Sequence, residues 1–188
     1  MDLVQRVKGI LLTPEAEWPA IAKEPGTPGY LFPQYMAYLA AIPPVARFIG
    51  NSVIGIATPA GIYRVPLFSG LLAAVIAYVL SFAVVYLIAI IADQLAPRFG
   101  GVKDFPNALK VTVYSFTPYW IAGILQLAAG LRFVAYVLAL FGIYLAWLGL
   151  TRLMRPKPDE AVVYVAISVG CAIVIVVAVT LIEGAFLI

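Results

Sequence analysis

The chain contains no histidine and only one cysteine, and Asp, Glu, Lys and Arg together make up just 11% of its 188 residues. Without histidine, Ser-His-Asp triads, Cys-His dyads and Cys/His zinc sites are excluded within one chain. A lone cysteine also excludes an intrachain disulfide. Cys171 stands among Gly, Ala and Val in a late apolar run, where it reads as a small inert packing group rather than a reactive thiol. Soluble domains carry roughly a quarter charged residues, so the shortage of charge excludes water as the main solvent for this chain.

What fills the sequence instead is apolar. Hydrophobic residues make up 64% of it, the mean hydropathy is +1.03, and runs of spanning length recur to the last residue. A soluble core hides one or two such helices, whereas a bilayer accommodates all of them. The net charge of +3 is no nucleic-acid signature, because the 12 Lys and Arg residues are thinly spread and mostly flank apolar segments. Basic residues so placed set topology. Membrane lipid is the expected partner, and nucleic acid is not.

The pattern predicts an all-α, polytopic integral membrane helical bundle: a leader over 1–29, with a short amphipathic interfacial helix, then a transmembrane domain over 30–188 with five transmembrane helices. In the leader, Leu3, Val4, Val7, Ile10 and Leu11 fall at helical spacing opposite Arg6, as in a helix lying at a membrane surface. A cleaved signal peptide is the competing reading, but Pro14, Glu15 and Glu17 stand where a small-residue cleavage site belongs. Thr13-Pro14-Glu15 reads as an N-cap with proline at the first helical position, opening a second short helix with Trp18 and Ile21 that Pro25, Gly26, Pro28 and Gly29 end.

The first span covers about 30–56, and its Pro43 and Pro44 remove two backbone donors, freeing the carbonyls of Leu39 and Ala40. A kink or break is expected there. Residues 57–66, with Pro59, Gly61, Tyr63 and Arg64, read as a loop with interface anchors. The second span, about 67–92, is stopped by Asp93, Pro97, Gly100 and Gly101, and the third, about 107–129, carries Pro118 inside it. A turn at Gly130 to Arg132 leads to the fourth, about 132–154, and a turn that short makes the two antiparallel neighbours. The basic connection Arg152 to Lys157 leads through Pro158 and Asp159 into the fifth, about 160–186. At about 1.5 Å per residue each run can cross a ~30 Å hydrocarbon core.

No convergent set of catalytic residues, metal ligands or cofactor motif is present, so a non-enzymatic protein is expected. The positions that invite attention are polar groups inside or at the ends of spans. Asp93 and Lys110 face each other across the second connection, as an interface ion pair or as a cation or proton site. Glu183 needs a cation from Arg47, Arg64 or Arg132. Arg47 is favoured, because it lies just after the proline break and is otherwise a charge inside an apolar helix; a substrate role for Glu183 is the competing reading. The densest polar stretch inside any span is KVTVYSFTPYW, with Tyr114, Ser115, Thr117 and Pro118. Pro118 cannot donate to the carbonyl of Tyr114, and the hydroxyls of Ser115 and Thr117 can serve the backbone groups left free. This is a kinked helix packed in the bundle, or a broken helix building a substrate site; Gln126 extends its polar stripe. Ala139, Gly142, Ala146 and Gly149 form a flat stripe for packing within the chain, or for dimerisation.

Three segments together, ILLTPEAEWPAIAKEP, ALKVTVYSFTP and GIYLAWLGLTRLMRPKPDEAVVYV, resemble the bacterial branch of the Ypt-interacting-protein (Yip) family of multispan membrane proteins, in the order leader helix then five spans. The resemblance implies a five-span fold with a cytoplasmic N-terminus and implies no enzyme. Eukaryotic members look like membrane-trafficking factors that associate with small prenylated GTPases and with each other, but their long polar N-terminal region is absent here. The expected role is a self-associating module that organises or assists other membrane proteins of a bacterial inner (plasma) membrane. A small-solute or ion transporter or channel using the broken first and third spans is the alternative. An enzyme acting on lipid ranks last, since Asp93 and Glu183 are expected on opposite sides.

With a cytoplasmic N-terminus, that side holds Arg6, Lys8, Lys23, Arg98, Lys103, Lys110, Arg152, Arg155 and Lys157, against Arg47, Arg64 and Arg132 on the other. The bias predicts N-terminus in and C-terminus out. Reporters fused to the two ends should read opposite sides of the membrane, and a reading on the same side rejects five spans.

Overall fold

A computed structural model of the chain describes residues 2–185, so the expected end of the fifth span at Phe186 lies outside the described residues. Helix α1 (Leu3–Leu12) opens at Asp2, whose carboxylate accepts hydrogen bonds from the N–H groups of Val4 and Gln5, two of the four orphan donors of a helix start. Helix α2 (Pro14–Ala22) follows after Thr13 alone. Pro14 sits in its first turn, where a missing N–H costs nothing. The Thr13 hydroxyl does not cap α2 as expected but donates back to the Gly9 carbonyl at 3.3 Å.

These two helices form a hairpin packed into the bundle, with Ile10, Trp18 and Ile21 fully buried. Arg6 is on the buried face with Ile10, whereas Val4 and Leu12 are exposed. That corrects the expectation that Arg6 lies opposite the packing face. The reason is a pair of carboxylates waiting inside, described below.

Helix α3 (Pro28–Ile54) turns at Ala40 and Ala41 and resumes at Ile42–Phe48. Pro43 and Pro44 therefore occupy the first turn of the second half, where their rings meet no preceding helical carbonyl. The connection to the next helix is not a plain loop: β1 (Ile56–Thr58) and β2 (Gly61–Tyr63) pair antiparallel, Ala57 opposite Ile62, a small exception to the all-α expectation. Helix α4 (Leu67–Leu95) runs through Asp93 instead of stopping at it, because a carboxylate near a helix end removes no backbone bond. It stops after a tight turn at Ala96–Phe99, where Gly100 takes φ 68° and Gly101 N–H closes on the Ala96 carbonyl at 2.9 Å.

Helix α5 (Phe105–Ser115) is capped by Asp104, whose carboxylate accepts from the Asn107 N–H at 3.0 Å. It breaks at Phe116, and α6 (Thr117–Ala122) carries Pro118 in its first turn before tightening into a 3-10 turn at Gly123–Leu127. Two further long helices complete the chain, α7 (Ala129–Met154), interrupted at Leu140, and α8 (Ala161–Ala185).

Residues 105–127 run alongside α3 in the same direction. From one end to the other, Gly26 meets the Pro106 carbonyl, Tyr35 meets Thr117, Pro43 meets Gly123, and Gly50 meets the carbonyls of Gln126 and Leu127. Every residue from 108 to 115 is buried, which makes α5 the centre of the bundle, with α4 on one side and α8 packed on α4. Among the described residues four helices, α3, α4, α7 and α8, are long and apolar enough to cross a membrane. The broken, polar 105–127 segment is not one of them.

The small-residue stripe of α7 is used within the chain. A Cβ on Gly142 would stand 2.5 Å from the Ser115 carbonyl oxygen, and one on Gly149 would stand 2.7 Å from the Trp18 ring. Gly149→Val should therefore overpack the leader's seat and cost about 1–3 kcal/mol, read as a lower Tm of the detergent-purified protein. Gly170→Ala, where nothing lies within 4 Å, should leave the Tm unchanged or raise it.

Candidate functional site

Two polar clusters stand out, one at each end of the bundle. At the leader end, the Arg6 guanidinium is held between the carboxylates of Glu17 and Glu24, and its carbon lies 5.9 Å from the centre of the Tyr114 ring. The Tyr114 hydroxyl donates to Glu24 Oε2 at 3.0 Å. Its ring meets Trp18 and Tyr35 edge-on, with centroids 6.4 and 4.8 Å apart, a favoured geometry for aromatic pairs. The Tyr35 and Thr117 hydroxyls share a hydrogen bond of 2.8 Å. Burial alone pulls the Arg6 guanidinium down, but Glu24, then Tyr114 and Glu17, more than offset it, so its pKa is held above the ordinary arginine value. The cation is permanent.

Lys110 completes this cluster. Its ammonium donates to the carbonyls of Ala22 at 2.9 Å and Glu24 at 3.2 Å, at the C-terminal end of α2, where helix carbonyls lack partners and the dipole favours a cation. The expected pairing of Lys110 with Asp93 is thus replaced by a contact with the leader, because α5 passes beneath α2. Arg152 and Tyr144 on α7 reach the carbonyl and carboxylate of Glu15 at 2.9 and 3.3 Å. Asp93, near Tyr164, is 4% exposed, and among the described residues its Oδ1 has no hydrogen-bond partner. Neighbouring Ala92 accepts from the Tyr164 hydroxyl at 2.8 Å.

At the far end, Arg47 Nη1 lies 3.8 Å from Glu183 Oε2, joining α3 to α8. Arg132 donates to Asn51 Oδ1. Arg47 and Glu183 both line three cavities, of about 380, 160 and 110 Å³. The largest lies between α5, α7 and α8 and includes Ser115, Gln126 and Tyr119. Tyr114 and Thr117 are fully buried against α3 and the leader, so the polar segment's side chains serve two faces, Tyr114 and Thr117 at i, i+3 on one and Ser115 and Tyr119 at i, i+4 on the other. The Ser115 hydroxyl does not serve the backbone opened by Pro118; it is 8% exposed with no hydrogen-bond partner, while the Phe116 N–H is taken by the carbonyls of Thr112 and Val113. Tyr164, beside Asp93, and Glu183 lie roughly 28 Å apart along α8 at 1.5 Å per residue, so the two carboxylates share no site.

Lys110, Tyr114 and Thr117 are legible in the sequence as candidates, whereas the roles of Arg6, Glu17, Trp18, Glu24 and Tyr35 as their partners are not. One signal was available: Glu17 and Glu24 are two helical turns apart and bracket the apolar Trp18 and Ile21. Among the described residues no group of three His, Cys, Asp or Glu side chains is placed to hold a metal ion.

In comparison with known proteins, the family model of the Yip1 domain matches residues 8–180. No curated protein and no solved structure matches.

The leader cluster makes a stability prediction. Arg6→Met leaves two partly buried carboxylates without their cation and should cost about 3 kcal/mol, read as a lower Tm in detergent. Adding Glu17→Gln and Glu24→Gln to it should recover more than half of that loss.

Proposed function

The chain belongs to the Yip1 domain family, and from that membership we propose that it is a non-enzymatic, five-span module of the bacterial inner membrane that self-associates and organises other membrane proteins there. The observation that carries this reading is how the charges are used. Arg6, Lys110 and Arg152 fasten the leader to the bundle, and Arg47 and Glu183 tie the first long helix to the last. What such a protein offers its surroundings is apolar helix surface, broadest on α8, where Val163, Val174, Val177 and Leu181 are exposed. Lipid or a second protein takes up such a surface equally well.

The one of the five spans in this reading that is not a long apolar helix is the third, the 105–127 segment. Its support is the row of contacts with α3 from Gly26 and Pro106 to Gly50 and Leu127, since a segment that accompanies a spanning helix end to end has the same reach. The basic residues Arg6, Lys110 and Arg152 around the leader support a cytoplasmic N-terminus, and Arg47, Arg64 and Arg132 then belong outside.

A second reading, transport of a small solute, is favoured by the cavity that Ser115, Gln126, Arg47 and Glu183 line. Two measurements separate the readings. Purified protein in nanodiscs of varied size should show a mass of two or more copies by light scattering; a monomer at every concentration overturns self-association. Solute flux into proteoliposomes that Glu183→Gln abolishes would favour transport, whereas assembly predicts no flux above that of empty vesicles.

A further inference from the structure

The largest cavity has a shape and a lining that the assembly reading leaves unused. On α8 it is bordered by Ser168, Ala172, Val176, Thr180 and Glu183, one face of the helix at spacings of four and three. Ser168 and Glu183 are roughly 22 Å apart at 1.5 Å per residue, so the space of about 380 Å³ is an elongated slot, not a round chamber. Its volume falls within the range of ligand sites, ~300–1,000 Å³.

The mouth of the slot and its two ends differ in chemistry. Tyr136, Leu140 and Ile143 of α7 and Ile173 and Val177 of α8 border it and are exposed. Both helices qualify as membrane spans, so this mouth opens on hydrocarbon and admits an apolar chain more readily than water. The walls of the slot are largely apolar, with Ile88, Val111, Val169 and Val176. At the floor the Ser115 hydroxyl, more than nine-tenths buried, has no partner and calls for one.

At the far end Arg47 offers a charge that Glu183 neutralises only loosely, since 3.8 Å is beyond hydrogen-bond distance. No hydrogen bond among the described residues takes up its N–H donors. Arg132, held by Asn51 at the rim of the adjoining cavity, adds a second cation against the single carboxylate. The end is therefore complementary to an anion, and guanidinium groups bind phosphate oxygens in fixed geometry.

We infer that the slot between α7 and α8 is a binding site for an anionic glycerophospholipid, one acyl chain lying along α8 and the phosphate meeting Arg47 at the Glu183 end. Entry is lateral, from the bilayer. The Ser115 hydroxyl donates to the first polar group that reaches it, and Glu183 disfavours doubly charged head groups, leaving a single phosphate diester as the best fit.

The test is native mass spectrometry of the full chain with phosphatidylglycerol, phosphatidylcholine or glycerol 3-phosphate added. Phosphatidylglycerol should stay bound at one copy per chain, with at least tenfold preference over phosphatidylcholine, and glycerol 3-phosphate should not bind. Arg47→Gln should erase the head-group preference while lipid is retained, and Ala172→Phe, which fills the slot, should lose retention of both lipids. Equal retention of the two lipids by wild type overturns the proposal, as does an Ala172→Phe variant that holds lipid like wild type. If that variant fails to fold, the wild-type head-group comparison decides alone. Binding of glycerol 3-phosphate as tight as that of the lipid would also overturn it, by assigning the site to a soluble anion.

Discussion

Arg6, gripped by Glu17 and Glu24 over the Tyr114 ring, is the interaction on which the cytoplasm-facing half of the proposed topology rests. A cation on a short N-terminal helix has little reason to leave water. Here two carboxylates, the Tyr114 hydroxyl on Glu24, the edge-on contact of Tyr114 with Tyr35, and the Lys110 contact with the end of α2 make leaving it favourable only as a set. Removing one partner strands the others, which is why buried ion pairs fix geometry more effectively than they add net stability. The leader is thereby fastened to the bundle through one face.

The second organising constraint is backbone satisfaction inside a bilayer. Hydrocarbon offers no hydrogen bonds, so helices broken by proline must keep their free carbonyls within the protein. Both broken segments lie together: α3, interrupted before Pro43 and Pro44, packs along 105–127, interrupted at Phe116 before Pro118. Two faces of this stretch of chain divide the labour. Tyr114 and Thr117 turn to the leader and α3, while Ser115, Tyr119 and Gln126 turn to the slot beside α8.

Much of this was legible in the chain because it depends on local chemistry. Apolar runs of spanning length mark helices. Paired prolines mark a break within a residue or two, since the missing N–H and the ring clash act on the preceding turn. Arg47 as partner of Glu183 followed from the cost of leaving a charge just beyond that break without a counter-ion. The flat stripe of Gly142 and Gly149 was legible as a packing surface, while its use within the chain came from their contacts with Ser115 and Trp18. Other features were hidden. Nothing near Lys110 in sequence indicates that α2 lies above it, and Asp93 looks like a helix stop although α4 continues through it to Leu95. The hairpin Ile56–Thr58 with Gly61–Tyr63 is too short to leave a strand signature.

The sequence by itself determined the solvent, the all-helical character, the family and the places where helices break, because hydropathy and proline chemistry act over one or two turns. Only the tertiary structure decided which charges meet, that one face of the leader packs into the bundle, and that a slot opens between α7 and α8. Those outcomes depend on which helices become neighbours. Coulombic pairing and cavity shape are set by distances across space, and residues 6 and 24, or 47 and 183, acquire those distances only when the chain is packed.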